Sequence, residues 1–443
     1  MAVVHRAPQT GVRAPRKPGR WYMQPSTWLL LIAGGVVSTS PLDAYVVIDV
    51  PFVRNPAAVL GVLLFGGFLL LRGGRLRIVS APQKLAITFA AVIVVMEIAR
   101  LALADVSAFA GTPSVTLVAL VLMTWLQPII LFLIIADVAR SERAVGLVLF
   151  GLPFVLSLLS LELLTSPVAN RWSPLGLNEN QAGLIYGMAF LISAWWLLHR
   201  ARGLRRAATF AFAATLPLLL AGLLATGSRG ASAAAAAGLV ILLAGSLRPV
   251  RLLTIIAVVV PGALYFGPTL EVLAEPLRTR WERAIVDENQ RGGRETIAAA
   301  TLEAVMRQPL IGYGLQANVV VGEAVRGEAR NLSPHNTYLA LLVTFGVLGA
   351  VPWFLMFIAI AIGVWRNRQH DTAWLFLALG ALFAVVMFVG DLTASKYLFS
   401  AMALASCLPL WMADERRMAA RVMAPPSAAS GEAEAAGAAV SRG

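Results

Sequence analysis

The sequence predicts an all-α, polytopic integral membrane protein with about twelve transmembrane helices and one long outer (periplasmic) loop containing interfacial helices. Three observations predict it. The chain of 443 residues is 58% hydrophobic and 13% charged, with a mean hydropathy of +0.77, whereas a soluble domain is about half apolar and about a quarter charged. Its apolar residues recur in runs of about 20, the length that crosses about 30 Å of hydrocarbon at about 1.5 Å per residue. The runs show no two-residue alternation, and lipid offers no partner for open backbone groups, so they are helices rather than barrel strands.

The predicted spans are 27–42, 56–71, 85–104, 115–136, 144–164, 181–198, 207–225, 231–247, 252–267, 336–364, 373–390 and 397–412. Residues 1–26 form a basic, Pro-containing tail and 413–443 an Ala/Ser/Gly/Glu-rich one, both with the composition of disordered segments. The first span competes with a signal-peptide reading, because its apolar run Trp28–Val37 is short, but no A-x-A cleavage site follows.

Charge sets the orientation. With the N-terminus in the cytoplasm, the inside segments hold 23 Lys and Arg, among them Arg72, Arg75, Arg77, Lys84, Arg140 and Arg143. The short outside loops hold five: Arg54, Arg100, Arg171, Arg229 and Lys396. That asymmetry is the positive-inside pattern. It puts both termini in the cytoplasm and the long loop, 268–334, on the outer face of the cytoplasmic membrane. The net charge of +13 is spread over these short clusters, so it marks topology and membrane lipid rather than a nucleic-acid surface. The single cysteine, Cys407, excludes an internal disulfide.

Within the outer loop, Glu295, Ala299, Glu303 and Arg307 repeat every four residues. Ile297, Leu302, Val305 and Met306 lie off that line, the pattern of an amphipathic interfacial helix from Arg294 to Arg307. Gly292-Gly293 precede it, and Pro309, Gly312 and Gly314 end it.

The candidate chemistry lies at the outer boundary. His335 is the one outer histidine, in Ser333-Pro334-His335-Asn336. With Ser333 as N-cap and Pro334 as first helical residue, His335 falls in the first helical turn, where the helix field disfavours imidazolium. A neutral imidazole there suits a general base; equally, it suits an interfacial residue that only caps the helix. Arg229, in the tight turn Thr226-Gly227-Ser228-Arg229-Gly230, and Arg294, after the glycine pair, can each hold an anion beside flexible backbone. Each can also be a snorkelling anchor. The segment Arg171 to Gly183 carries Asn178, Glu179, Asn180 and Gln181, able to bind sugar hydroxyls or to cap a helix. Glu97 and Arg100 form an intramembrane pair that faces a cavity or serves as a structural ion pair. No Cys, His and carboxylate cluster has metal-ligand spacing, so neither metal nor cofactor is expected.

Four motifs follow one another in a known order: "LGLNENQAG", then an Arg-Gly pair after a span, then "GGRETIAAATLEAVMRQPLIGYG" followed by "PHNTYLALLVTFGVLGAVPWF". Over about residues 170–365 the chain resembles the O-antigen ligase and O-antigen polymerase superfamily of bacterial envelope glycan enzymes. The resemblance implies a glycosyltransferase that moves a glycan from an undecaprenyl-pyrophosphate carrier to an acceptor hydroxyl, lipid- or glycan-bound, outside the membrane and without a metal. It implies His335 as the base and Arg229 and Arg294 as the pyrophosphate-holding cations. Asn336, Tyr338, Asn178, Asn180 and Arg171 are then expected at the substrate. Glu179 stands where the family's asparagine stretch has Pro, a departure that bears on Asn178 and Asn180. A polymerase of the same superfamily differs in its acceptor. A non-enzymatic lipid-linked glycan transporter would instead place its charges at midspan in an internal repeat, and neither feature is visible.

Overall fold

The computed structural model describes residues 24–40, 56–103, 114–165, 178–200, 206–246, 288–326, 332–392 and 395–423. Residues 1–23 and 424–443 of the tails, the ninth predicted span, loop residues 268–287 and Arg171 lie outside them. The described residues are helical, with no strand among them. In chain order the helices are α1 (Pro25–Thr39), α2 (Pro56–Arg72), α3 (Ala81–Leu103), α4 (Ser114–Val138), α5 (Arg143–Leu149), α6 (Gly151–Ser160), α7 (Glu162–Thr165) and α8 (Glu179–Trp195). They continue with α9 (Arg206–Ala225), α10 (Arg229–Ser246), α11 (Glu288–Arg307), α12 (Ala317–Arg326), α13 (Thr337–Arg366), α14 (Asp371–Val386) and α15 (Lys396–Met423).

Five described segments are long and apolar enough to cross a membrane: Ala81–Arg100, Arg143–Ser160, Glu179–Leu198, Thr337–Arg366 and Lys396–Arg417. Six shorter apolar helices coincide with other predicted spans. The protein is therefore a polytopic helical membrane protein, but the described residues give five full-length spans rather than twelve. The predicted span 144–164 is present as Arg143–Ser160, with one irregular turn between α5 and α6 and the short α7 after it. Pro153 lacks the N–H that would close the turn onto Leu149, although Phe150 between them keeps helical angles (φ −61°, ψ −41°). The last helix runs beyond residue 412 to Met423.

Helix α8 is the hub, with every residue from Ala182 to Trp195 buried. Around it Tyr186, Trp195, Phe212, Trp353 and Phe383 fill one continuous core. Leu70 (88% exposed), Phe210 (74%) and Val95 (65%) point outward, as expected of faces turned to lipid rather than water. Close helix approach depends on small residues. At Gly183 a Cβ would come within 2.9 Å of the Ser228 side chain, so α8 and the start of α10 meet almost backbone to backbone.

The polar groups sort to two ends. At one end Asp137, fully buried, pairs with Arg140 at 3.3 Å and Arg72 at 3.8 Å and accepts the Arg77 backbone N–H at 3.0 Å. Trp411 donates to the Ala139 carbonyl (2.9 Å) and Trp195 to the Asp371 carbonyl (3.1 Å) at the same end. Segments predicted as inside loops thus meet one another. The segments around Asn180, Ser228, His335 and Gly390 gather at the other ends of these helices.

Helix α13 is not continuous. Gly346 has φ 60° and ψ −169°, a conformation essentially reserved for glycine. The turn after α11 enters the break. Val347 N–H donates to the Pro309 carbonyl (2.8 Å), Leu348 N–H to Leu310 (3.1 Å), and Tyr313 N–H to Val343 (2.7 Å). From α3, Arg100 donates to the Ile311, Gly312 and Thr344 carbonyls, with Glu97 paired to it. The intramembrane ion pair is therefore a clamp on a helix break.

Helix α11 begins at Glu288 and passes through Gly292-Gly293, upstream of the predicted start. Its polar line is exposed as expected, but Leu302 (53%) and Met306 (73%) are exposed too. The buried side is Ala300, Thr301, Ala304 and Val305, with Ala304 and Val305 packed on Val321 and Val343. Alanine and threonine permit a tighter approach to α13 than the larger residues would. The helix packs on the protein rather than lying free on a surface.

Candidate active site

Asn178 begins the site. It is the N-cap of α8, its side chain accepting the Asn180 N–H at 2.9 Å. That leaves the Asn180 carboxamide directed across to α10, where Ser228 Oγ donates to its Oδ1 (2.9 Å). Asn180 Nδ2 reaches the Val389 carbonyl at 3.4 Å, so one side chain joins α8, α10 and the segment after α14.

Arg229 follows Ser228 at the first position of α10. The turn that carries it is as tight as predicted: Gly227 takes φ 61°, and Thr226 Oγ1 donates to Leu223 while accepting from Ser228 N–H. Arg229 is half-buried, and the next residue, Gly230, lies against Val389, which a side chain there would overlap.

The helix start at His335 differs from the sequence expectation. Asn336, not Ser333, is the N-cap of α13: its Oδ1 accepts from Tyr338 N–H (3.0 Å) and Leu339 N–H (3.1 Å). His335 precedes the cap rather than occupying the first turn. It has φ 51°, alone among the described non-glycine residues in the left-handed region, which is uncommon outside glycine although His, like Asn and Asp, is enriched there. Ser333 accepts its N–H at 3.4 Å. The buried Thr337 fixes the position: its Oγ1 donates to the Gly390 carbonyl (2.7 Å) and accepts from Leu392 N–H (3.0 Å).

Those contacts border a cavity of about 550 Å³. His335, Asn178, Asn180, Gln181, Asp391 and Lys396 line it, with Trp125 and Tyr397 as aromatic walls. His335 is held below its ordinary pKa, first by burial, then by the positive charge of Arg294; Asp391 opposes them. The imidazole is therefore neutral at pH 7, from desolvation and a neighbouring cation rather than from a place inside a helical turn. Arg294 is exposed and lies in the second turn of α11, not at its start, so it acts through its own charge without the helix N-terminus.

Of the residues singled out in the sequence, His335, Asn178 and Asn180 line the cavity; Arg294 acts electrostatically on His335, and neither Arg294 nor Arg229 is among the lining residues. Asn336 caps α13. Tyr338 donates to the Ala384 carbonyl (3.1 Å) and packs on Phe354 and Phe388, outside the cavity wall. Gln181, named in the sequence with Asn178 and Asn180, also lines the cavity, whereas Asp391, Lys396 and Trp125 are not sequence candidates for the site. The polar stretch from Gly390 to Lys396, between two spans on the His335 side, was the available signal. Among the described residues no three His, Cys, Asp or Glu side chains gather as metal ligands.

Residues 214–354 match the family model described as O-antigen ligase. The matched stretch is less than half of the chain and contains Arg229, Arg294 and His335. The chain matches no curated protein. The family-level link and the polytopic helical fold together are consistent with a glycosyltransferase-like enzyme handling glycans at a membrane.

Proposed function

We propose that this protein transfers a glycan from an undecaprenyl-pyrophosphate carrier to an acceptor hydroxyl at the outer face of the cytoplasmic membrane, with inversion and without a metal. The observation that carries the proposal is His335: a neutral imidazole, in a left-handed backbone conformation, opening under the charge of Arg294 on a cavity that amide and charged side chains share with aromatic and aliphatic walls. His335 takes the acceptor O–H proton. The acceptor oxygen bonds to the anomeric carbon as the bond from that carbon to the pyrophosphate oxygen breaks. Negative charge then grows on the leaving pyrophosphate, where Arg229 and Arg294 neutralise it, the kind of fixed electrostatic help that often dominates catalysis.

The orientation belongs to the same proposal. The end holding Asp137, Arg72 and Arg140 faces the cytoplasm, and the cavity faces outward, on a scaffold of about twelve spans with both termini inside. The Lys and Arg distribution supports it. The amides of Asn178, Asn180 and Gln181 suit sugar hydroxyls. Whether the acceptor is a lipid-core sugar, as for a ligase, or another repeat unit, as for a polymerase, depends on what enters the cavity beside His335.

The test is purified protein in detergent with a defined carrier-linked donor and candidate acceptors, with products read by mass spectrometry. A glycan joined to acceptor with inverted anomeric configuration is expected, and His335→Ala should lower its formation by about 10²–10⁴-fold. Retained transfer by well-expressed His335→Ala overturns the base assignment; no covalent product with either acceptor class overturns the reaction.

A further inference from the structure

Arg100, Glu97 and the carbonyls that Arg100 holds at the break in α13 are not among the residues that line the cavity. What this clamp holds is α11, the helix that carries Arg294. Two separate attachments fix the proposed catalytic pair. His335 is held from α14, through Thr337 and Gly390. Arg294 is held from α11, whose far end joins the turn seated in the α13 break. Arg100 donates to the Gly312 and Thr344 carbonyls, both at 3.2 Å, so it joins the turn and the break on either side. Glycine leaves room for it: a side chain at Gly314 would overlap the Arg100 guanidinium and the Glu97 carboxylate. Phe345, beside the break, packs edge-on against Trp125 of the cavity wall at 4.8 Å.

We propose that Arg100, oriented by Glu97, is a positioning residue that sets where Arg294 stands relative to His335. The physical argument is leverage. From Arg307 to Arg294 the helix is about 20 Å long, so a tilt of about 10° at its base moves Arg294 by about 3 Å. Misplacement by about 1 Å can cost about 100-fold in rate. Without Arg100 the Thr344 and Gly312 carbonyls lose a donor, and the base of α11 is held only by its packing on Val321 and Val343 and by the three backbone bonds into the break.

This inference rests on the proposed glycan transfer, and its readout separates positioning from a general loss of structure. The charges that act on His335 are those of Arg294 and Asp391, with Lys396 and Tyr397 also on the cavity wall; Arg100 acts only through the placement of Arg294. The experiment measures transfer against pH in full-length protein for Arg100→Ala, Arg100→Lys, Arg294→Gln and the double variant Arg100→Ala/Arg294→Gln. Arg100→Ala should lower transfer by about 10- to 100-fold and move the acid limb to higher pH, as Arg294→Gln does. Arg100→Lys, which keeps a cation and donors, should restore part of both. In the Arg294→Gln background, Arg100→Ala should move the acid limb no further. An unmoved acid limb in Arg100→Ala, or an equal shift in both backgrounds, overturns the inference. If Arg100→Ala is lost from membranes, the same reading is made on Glu97→Gln, which removes the carboxylate that orients Arg100; an unmoved limb there overturns it. If His335→Ala and Arg294→Gln leave transfer unchanged, it is the function that fails instead.

Discussion

Ser228, the residue before α10, and Asn180, on α8 at the cavity wall and 48 residues away in the chain, share a hydrogen bond of 2.9 Å. Ser228 donates its hydroxyl to the carboxamide oxygen, while the carboxamide nitrogen reaches Val389. The residue after Ser228 is Arg229, so the same bond ties a proposed cation to a proposed sugar-binding amide. Removing either partner should weaken transfer by up to about tenfold, since a net hydrogen bond is worth about 0.5–1.5 kcal/mol. Transfer by Ser228→Ala, Asn180→Ala and the double variant checks it. The two losses should be less than additive, because the bond between the two side chains is shared, although Asn180→Ala also removes the bond to Val389.

The pH dependence follows from His335. Burial and Arg294 hold its pKa below the ordinary 6.5. Transfer that needs the neutral base should therefore stay level as pH falls past that value and drop at lower pH. Arg294→Gln removes a lowering charge and should move the acid limb up. Asp391→Asn removes the raising charge and should move it down. Stability follows the same sign: the unfolded chain binds the proton first, so stability contributed by neutral His335 is lost as pH falls from 6.5 through the folded value. Profiles of kcat/KM against pH for the three proteins check this, and limbs that coincide would remove His335 from the rate.

Gly346 offers a test of the break itself. Its φ of 60° and ψ of −169° exclude other residues without strain, and a Cβ would overlap the Leu310 carbonyl. Strain in such a region costs about 1–3 kcal/mol before the clash is counted. Gly346→Ala should lower the thermal midpoint of detergent-solubilised protein clearly. Gly380→Ala, on α14 with nothing near its Cβ position, should leave it nearly unchanged.

The break was invisible in the sequence for a physical reason. Residues 337–366 are uniformly apolar, and hydropathy measures transfer to lipid, not where backbone bonds go. Gly346 acquires its meaning from Pro309, Leu310 and Arg100, all distant in the chain. The helix start at His335 was misread because Ser333-Pro334 and Asn336 are both good start signals; Asn336 takes the cap because its oxygen reaches two free N–H groups. By contrast, the turn at Arg229 and the apolar segments that form the helices were legible, since each depends on local composition and chain length. His335, Asn178 and Asn180 were legible as rare polar groups at span mouths. Asp391 and Lys396 were not, because their value lies in facing His335 across a cavity that only tertiary packing creates.

Thr337 supplies the most direct test of how His335 is held. It is fully buried, gives its hydroxyl proton to Gly390 and receives the Leu392 N–H. Thr337→Val keeps the shape and removes both bonds, leaving a buried carbonyl and a buried N–H unsatisfied at a cost of about 1–3 kcal/mol. Asp391 sits between those two partners, so the loss should also displace the charge that raises the His335 pKa. Thr337→Val should therefore lower the thermal midpoint and move the acid limb of transfer to lower pH. Thr337→Ser retains the hydroxyl and should restore the acid limb while recovering less of the stability, because the methyl packing is missing. A Thr337→Val protein that is less stable but keeps the parental acid limb would show that Asp391 is placed by other contacts.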